Sequence, residues 1–174
     1  MPTSFSRTTL ETKATPEQAF EDVRDVSAFS SWLSPSLSYR GTTTPSPGRA
    51  LLGTRYVDHT TIGDMAGEVV EFQVHRRITF SQQPQRLGLA LRITYDLEPA
   101  LTGTKITRVG RITTTGVLAL IHPVVVFAIR SENRRTMKRL KDLLELQARH
   151  LSSDQPHSSH TDPDAQLPPK THSG

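Results

Sequence analysis

The sequence predicts an α+β domain: a first strand, two short helices, an antiparallel run bringing the sheet to six or seven strands, and a long C-terminal helix. Three observations predict it. A helix-start signal, "TPEQ", stands directly behind a β-branched N-terminal segment. Apolar and polar residues then alternate with period two through most of the middle of the chain. Met137, Leu140, Leu144, Ala148 and Leu151 recur at steps of three and four, the period of an amphipathic helix.

The first strand is read over "TSFSRTTLET", whose mixed polarity suits an edge position. In "TPEQAFEDVRD", Thr15 can cap a helix, Pro16 suits its first position and Gln18 completes a capping box. Ala19, Phe20 and Val23 form its apolar stripe. "VSAFSSWLSP" reads as a second short helix, with Ser27 as its cap and Pro35 as its stop. "LSYRGTTT" is a short strand and "PSPGRALLG" a loop. "TRYVDHTT" and "MAGEVVEFQVH" are joined by a turn at Gly63-Asp64, and "RRITFSQQ" follows through a tight turn. In "LGLALRITYDLEP", Leu89, Leu91, Ile93, Tyr95 and Leu97 face one way and Ala90, Arg92, Thr94 and Asp96 the other. "ALTGT" turns into the last strand, "KITRVGRITTT". Such turn-sized gaps describe an antiparallel meander with one apolar and one polar face.

The 174 residues fit one domain, at residues 1–151, followed by a polar tail at 152–174. The tail is rich in Ser, Pro, His and Asp and cannot bury enough surface to offset its ordering entropy, so disorder is expected there. Its His157-x-x-His160 spacing has no cysteine and no structured ligand beside it and is read as tail, not as a metal site. No metal and no cofactor are expected. The lack of cysteine excludes disulfides, thiolate nucleophiles and cysteine-held metal sites. The first residues carry no apolar stretch of the secretory kind, which points to a cytoplasmic protein.

The formal net charge is +4. Much of the positive charge lies in Arg130, Arg134, Arg135, Lys138, Arg139 and Lys141, interleaved with Glu132, Asp142 and Glu145. Lys138–Asp142, Lys141–Glu145 and Glu145–Arg149 stand at i,i+4, and no aromatic residue is present for base stacking. This is a solvated helix face, and no nucleic-acid partner is expected. Docking of that face on an acidic protein, RNA or a membrane surface ranks last among the readings.

Residues 117–129 form the most apolar stretch. They are too few for a transmembrane helix, which needs about 20 apolar residues. Apolar side chains surround the axis from Val124 to Ile129, so a buried core helix is expected. Pro123 removes a helical hydrogen bond, so the helix starts near it or bends there. His122 is then either a satisfied core histidine or a polar point in the wall of a cavity between helix and sheet.

"TKATPEQAFEDVRDVSAFSSW", "GTRYVDHTT", "GEVVEFQVHRRITFS", "YDLEPALTGTKIT" and "LKDLLE" resemble, in order, segments of the SRPBCC superfamily. That group includes START domains, relatives of the birch-pollen allergen and polyketide cyclase/dehydrase-like proteins. The likeness spans residues 4 to 146. Where relatives often carry Pro before an Arg-Arg pair, this chain has His75. The resemblance implies a helix-grip fold, in which the C-terminal helix closes over the concave face of the curved sheet and leaves a pocket for an apolar small molecule. It also implies that Val70, Phe72, Val74, Ile78, Phe80, Leu91, Ile93 and Tyr95 point inward. Fold resemblance transfers this geometry, not a function.

Such cavities are lined by apolar side chains with a few polar groups that fix orientation. The candidate ligand-binding residues are Trp32 at the mouth, Tyr56, Phe72, Phe80, Leu91, Ile93, Tyr95, Arg108, Ile121, His122, Val125 and Ile129. Tyr56 is preferred to His59, because residues three apart on a strand face opposite ways. Arg108 points inward, toward an anionic ligand, if Ile106 and Ile112 set the inner face; if Val109 sets it, Arg108 is a surface charge. Glu68, in phase with Val70, is the only acidic residue expected near the pocket. The function expected is binding of a small hydrophobic or aromatic molecule, lipid- or polyketide-like, by a carrier or sensor. The alternative is a polyketide cyclase, aromatase or dehydratase, in which His or Tyr moves a proton and Arg or Tyr stabilises an enolate. No catalytic residue is assigned, because no base–orienter pair and no pair of inward carboxylates is legible.

Overall fold

The computed structural model describes residues 1–153, apart from 34, 37–38, 46–47, 62 and 85–87. The tail expected at 152–174 therefore lies, from residue 154 on, outside the described residues, as does its pair of histidines. The elements are β1 (Thr3–Thr12), α1 (Pro16–Arg24), a 3₁₀ helix (Val26–Ser31), β2 (Tyr39–Thr43), β3 (Arg55–Thr60) and β4 (Gly63–Gln73). They continue as β5 (Arg77–Pro84), β6 (Leu89–Ala100), β7 (Gly103–Thr114), α2 (Val117–Leu120) and α3 (His122–Ser153). Seven antiparallel strands form one curled sheet in the order β1-β7-β6-β5-β4-β3-β2. Across it lies α3, in the helix-grip arrangement.

Local chemistry explains the helix starts. The Thr15 hydroxyl accepts from the Gln18 amide at 3.3 Å, and the Gln18 side chain accepts from the Thr15 amide at 3.1 Å. The two contacts satisfy two otherwise unpaired amides of α1 reciprocally. The 3₁₀ helix is capped by Asp25 and not by Ser27: Asp25 Oδ1 accepts from the Ala28 amide at 3.1 Å, and the Ser27 hydroxyl donates to that same oxygen at 2.5 Å. Gly63 and Asp64 open β4 instead of forming the turn before it.

The larger core cluster joins Phe20 and Val23 of α1 to Met137, Leu140 and Leu144 of α3 and to Val69, Ile78, Leu97 and Ile106 of the sheet. Burying each of the larger side chains contributes about 1.5–3 kcal/mol. A smaller cluster sits under the first turns of α3, where Val126 packs with Met65, Leu89 and Ile112, flanked by Leu118, Val125 and Ile129. On the outer face of α3, Lys141 pairs with Glu145 at 3.6 Å, a half-buried i,i+4 contact.

Three inward assignments change. The β4–β5 register shifts between Val69 and Glu71. An extra residue in one strand reverses the parity of everything beyond it. Met65, Gly67 and Val69 face inward before the shift and Phe72 after it, while Val70 falls in the bulge; Val74 lies past the end of β4, in the turn to β5, and is 60% exposed. Glu68 accordingly lies on the outer face, 3.5 Å from Arg55. The following turn places His75 at φ +57°, with its ring edge-on to Phe20 at 5.8 Å. Proline, held near φ −65°, could not take that position.

The apolar run 117–129 is not a helix buried on all sides. It divides into α2 and the start of α3, with Pro123 in the first turn of α3, where its missing amide breaks no helical bond. Val117, Leu120, Val124 and Phe127 are largely exposed, whereas Val126 is buried. One face packs on β6 and β7 and the opposite face meets solvent.

Gly67 is required by a neighbour and not by its backbone. A Cβ there would lie 2.2 Å from Cζ of Tyr56, whose ring covers the glycine. Gly67→Ala is therefore expected to cost about 1–3 kcal/mol in urea denaturation. In a Tyr56→Ala background most of that cost should vanish; strictly additive losses would contradict the contact.

Candidate ligand-binding cavity

Between α3 and the concave face of the sheet lies a cavity of about 380 Å³. Its lining, among the described residues, forms a floor, a side wall and a roof. Leu89, Leu91, Ile93 and Tyr95 of β6 and Arg108, Gly110 and Ile112 of β7 form the floor. Phe80 and Gln82 of β5 and Tyr56 and Asp58 of β3 form one side, with Phe29 and Trp32 beyond them. Leu118, Ile121, Val124, Val125, Ile129 and Asn133 form the roof. Ile121 and Val124 both line the cavity and are 46% and 66% exposed, so the cavity meets solvent at the junction of α2 and α3.

The aromatic wall is a chain of edge-to-face contacts. Trp32 meets Phe29 at 5.3 Å, Phe29 meets Tyr56 at 6.3 Å, Tyr56 meets Phe80 at 5.9 Å and Phe80 meets Tyr95 at 6.2 Å between centroids. Such pairs add about 0.5–1.5 kcal/mol each beyond the area they bury. This wall is a fixed surface.

Of the twelve residues singled out from sequence, Trp32, Tyr56, Phe80, Leu91, Ile93, Tyr95, Arg108, Ile121, Val125 and Ile129 lie in the lining. Trp32 sits deep in the wall, 2% exposed, and not at the mouth. Phe72 and His122 are not in the lining. Beyond the bulge, Phe72 packs edge-on against Phe20 at 5.4 Å, at the filled end of the sheet. His122 spends both ring nitrogens elsewhere: Nδ1 lies 2.8 Å from the Thr114 hydroxyl and Nε2 lies 2.8 Å from the Ser4 hydroxyl. It is the satisfied histidine that clamps the start of α3 to β7 and β1. His59 faces outward, between Thr43 and Asp64.

Besides Glu132, Asn133 and Thr136 of the roof, two hydrogen-bonded polar groupings stand in the lining. In the first, Asp58 accepts from the Thr42 hydroxyl and from the Gln82 amide, and Gln82 also donates to the Tyr56 hydroxyl at 3.1 Å. The Tyr39 hydroxyl completes the chain, 2.7 Å from Thr42. In the second, Arg108 Nε donates to the Tyr95 hydroxyl at 2.9 Å across the β6–β7 pair, with the guanidinium 5.5 Å from the Tyr95 ring centre. Arg108 thus faces inward, with Ile106 and Ile112. Asp58, Gln82 and Asn133 escaped the sequence reading. The signal for Asp58 was available, because it stands two residues from Tyr56 on one strand and must share its face.

A sequence profile for the family described as "Polyketide cyclase / dehydrase and lipid transport" matches residues 4–145. The chain belongs to this family. It falls within the SRPBCC superfamily, and solved structures show the same helix-grip fold. A Chromobacterium violaceum protein is 19% identical, with a TM-score of 0.62 over 81% of this chain and 96% of that one. A Mesorhizobium loti protein is 13% identical, with a TM-score of 0.64 over 82% and 98%. Ara h 8.0201 is 14% identical, with a TM-score of 0.60 over 82% and 98%. At these identities the likeness speaks for the fold alone. No curated protein matches the sequence.

Within the family fold, burial sets the acid–base character of this cavity. Burial pushes the Asp58 carboxyl up to about 6, against the opposing pull of the Thr42 hydroxyl, the His59 ring and the Gln82 amide. Burial likewise raises the Tyr56 phenol well above its ordinary value, with Asp58 adding to the rise. The arrangement offers a carboxylate that exchanges a proton near neutral pH and a fixed cation on a different strand. Among the described residues no cluster of His, Cys, Asp or Glu could hold a metal ion, and no helix is long and apolar enough to cross a membrane.

Because folded Asp58 holds its proton more tightly than the unfolded chain does, its contribution favours folding at low pH and is lost as the pH rises. The window runs from about 4, the unfolded value, to about 6. The full swing is about 3 kcal/mol. Urea midpoints of the wild type and Asp58→Asn, measured from pH 4 to pH 7.5, should diverge through that window, with the wild type losing relative stability toward neutral pH. Parallel profiles would contradict the burial of an ionisable Asp58.

Proposed function

We propose that the protein binds a small hydrophobic or aromatic molecule, lipid- or polyketide-like, under α3, as a carrier or sensor. The observation that supports this reading best is the cavity of about 380 Å³, walled by aromatic and aliphatic side chains and entered beside the exposed apolar Ile121 and Val124. Small-molecule sites have this form: concave, mostly apolar, about 300–1,000 Å³, with a few polar groups that orient the guest. Ile93 and Tyr95 beneath, Val125 and Ile129 above, and the Tyr56–Phe80 wall are the proposed contacts for the body of the guest.

Native mass spectrometry of protein purified from its own host should show a bound small molecule, and Ile129→Trp, which fills the space, should release it. Ligand at 100 times its Kd should stabilise the wild type by about 2.7 kcal/mol. A ligand-free spectrum, together with no thermal shift across a panel of lipids and aromatic polyketides, would contradict the reading.

One observation favours a second reading, a cyclase, aromatase or dehydratase working in the same cavity. Asp58 is a buried carboxylate titrating near 6, held in the wall by Thr42 and Gln82. A base near the working pH is what proton abstraction next to a carbonyl requires, and Arg108 with Tyr95 would stabilise the resulting enolate. Turnover of a poly-β-keto thioester should then fall about 10²–10⁴-fold in Asp58→Asn. Turnover indifferent to Asp58 would remove this reading and leave the first intact.

A further inference from the structure

We propose that the guest is an organic acid, an apolar body bearing a carboxylate or similar oxyanion, and that Arg108 is the subsite for its charge. This rests on the binding reading above and narrows the class of ligand.

Arg108 is 7% exposed, in the middle of β7, opposite Tyr95. Its Nε is engaged by the Tyr95 hydroxyl, but its Nη1 is buried with no hydrogen-bond partner among the described residues. A guanidinium cannot escape this by losing its proton, unlike a buried lysine. A buried cation without a counter-charge costs several kcal/mol. The lining contains two acids, but the Asp58 oxygens are taken by Thr42 and Gln82, and Glu132 of the roof pairs with Arg135 at 3.9 Å. The fold thus carries an uncompensated positive charge in the lining of an apolar cavity, and an anionic guest would supply the missing partner.

A second observation points the same way. Trp32 Nε1, also in the lining and 2% exposed, is a donor without a partner. Both cavity groups left unsatisfied are donors. The Tyr95 hydroxyl, having accepted from Arg108, still has its own proton to give. Buried polar groups in native proteins are nearly always paired, so an excess of donors calls for a guest rich in acceptors. A guest hydroxyl or carbonyl would satisfy a donor but not the charge, whereas a guest cation would be repelled. A carboxylate satisfies both demands, and charge-assisted hydrogen bonds are about twice as strong as neutral ones. The aliphatic side chains Leu91, Ile93, Val125 and Ile129 remain for the hydrocarbon part.

The test compares guests of one shape and different charge. Full-length protein is titrated calorimetrically at pH 7.5 with 2-naphthoate, 2-naphthylmethanol and 2-naphthylmethylammonium. The wild type should bind the acid at least about tenfold more tightly than the alcohol, which is about 1.4 kcal/mol, and the ammonium most weakly. In Arg108→Met the acid-to-alcohol ratio should collapse toward one, whatever the absolute affinities. Equal wild-type affinities for acid and alcohol would overturn the anion subsite and leave the binding reading standing; that comparison needs no variant to fold. A preference for the acid that survives in folded Arg108→Met would also overturn the assignment. Failure of all three probes to bind would overturn the binding reading, and this inference with it.

Discussion

The His122 ring ties the first turn of α3 to two strands that are themselves neighbours, to β7 through Thr114 and to β1 through Ser4. Further along, Asn133 donates to Ser6 at 2.8 Å, and Met137, Leu140 and Leu144 sink into the larger core cluster. A helix of 32 residues is in this way fixed to the β1 side at its start and to the closed end of the sheet through its second half. Near its start, Val125 and Ile129 are only partly buried and face the cavity rather than a filled interior. Protein interiors otherwise pack to crystal density, so a gap of this size depends on anchors on both sides of it. Gly110 belongs to the same arrangement: a Cβ there would meet the Ser6 hydroxyl at 2.9 Å and crowd the contact that holds Asn133.

The composition of the wall follows from which strands face the gap. The strand β6 supplies Leu91, Ile93 and Tyr95 and β5 supplies Phe80 and Gln82, and the edge-to-face chain from Trp32 to Tyr95 stiffens the wall. Among the polar side chains of the wall, Asp58 and Arg108 are held there for different physical reasons. Asp58 is tolerated because Thr42 and Gln82 donate to it and because it can take up a proton near neutral pH. Arg108 has neither escape. Its stacking on Tyr95 and one hydrogen bond offset part of the desolvation cost. The remainder is the feature that distinguishes this cavity from a passive greasy hole.

Much of the fold was legible in the sequence, because its cues are local. The Thr15–Gln18 capping box, the alternation from Leu89 to Leu97 and the stripe from Met137 to Leu144 each follow from neighbours a few residues apart. The bulge after Val69 was not legible: two adjacent valines fit either parity, and only pairing with β5 decides between them. That single ambiguity sent Val70 and Glu68 to the wrong face, whereas Asp58 was legible from its two-residue spacing to Tyr56 on β3. The run at 117–129 misled for a related reason. Hydrophobicity on every side of a helix suggests burial on every side, yet Leu120, Val124 and Phe127 remain in solvent beside the entrance. His122 and His75 depend on partners far away in sequence, Ser4 in one case and Phe20 in the other, which no spacing rule reveals.

The account stands on an unfilled apolar space under α3, and diffraction from a crystal pressurised with xenon measures that space directly. Xenon enters dry apolar cavities and is excluded from packed cores. The structure described here predicts an ordered xenon peak in van der Waals contact with Ile93, Val125 and Ile129. Side chains closed over that position, with no xenon between α3 and the sheet, would contradict it.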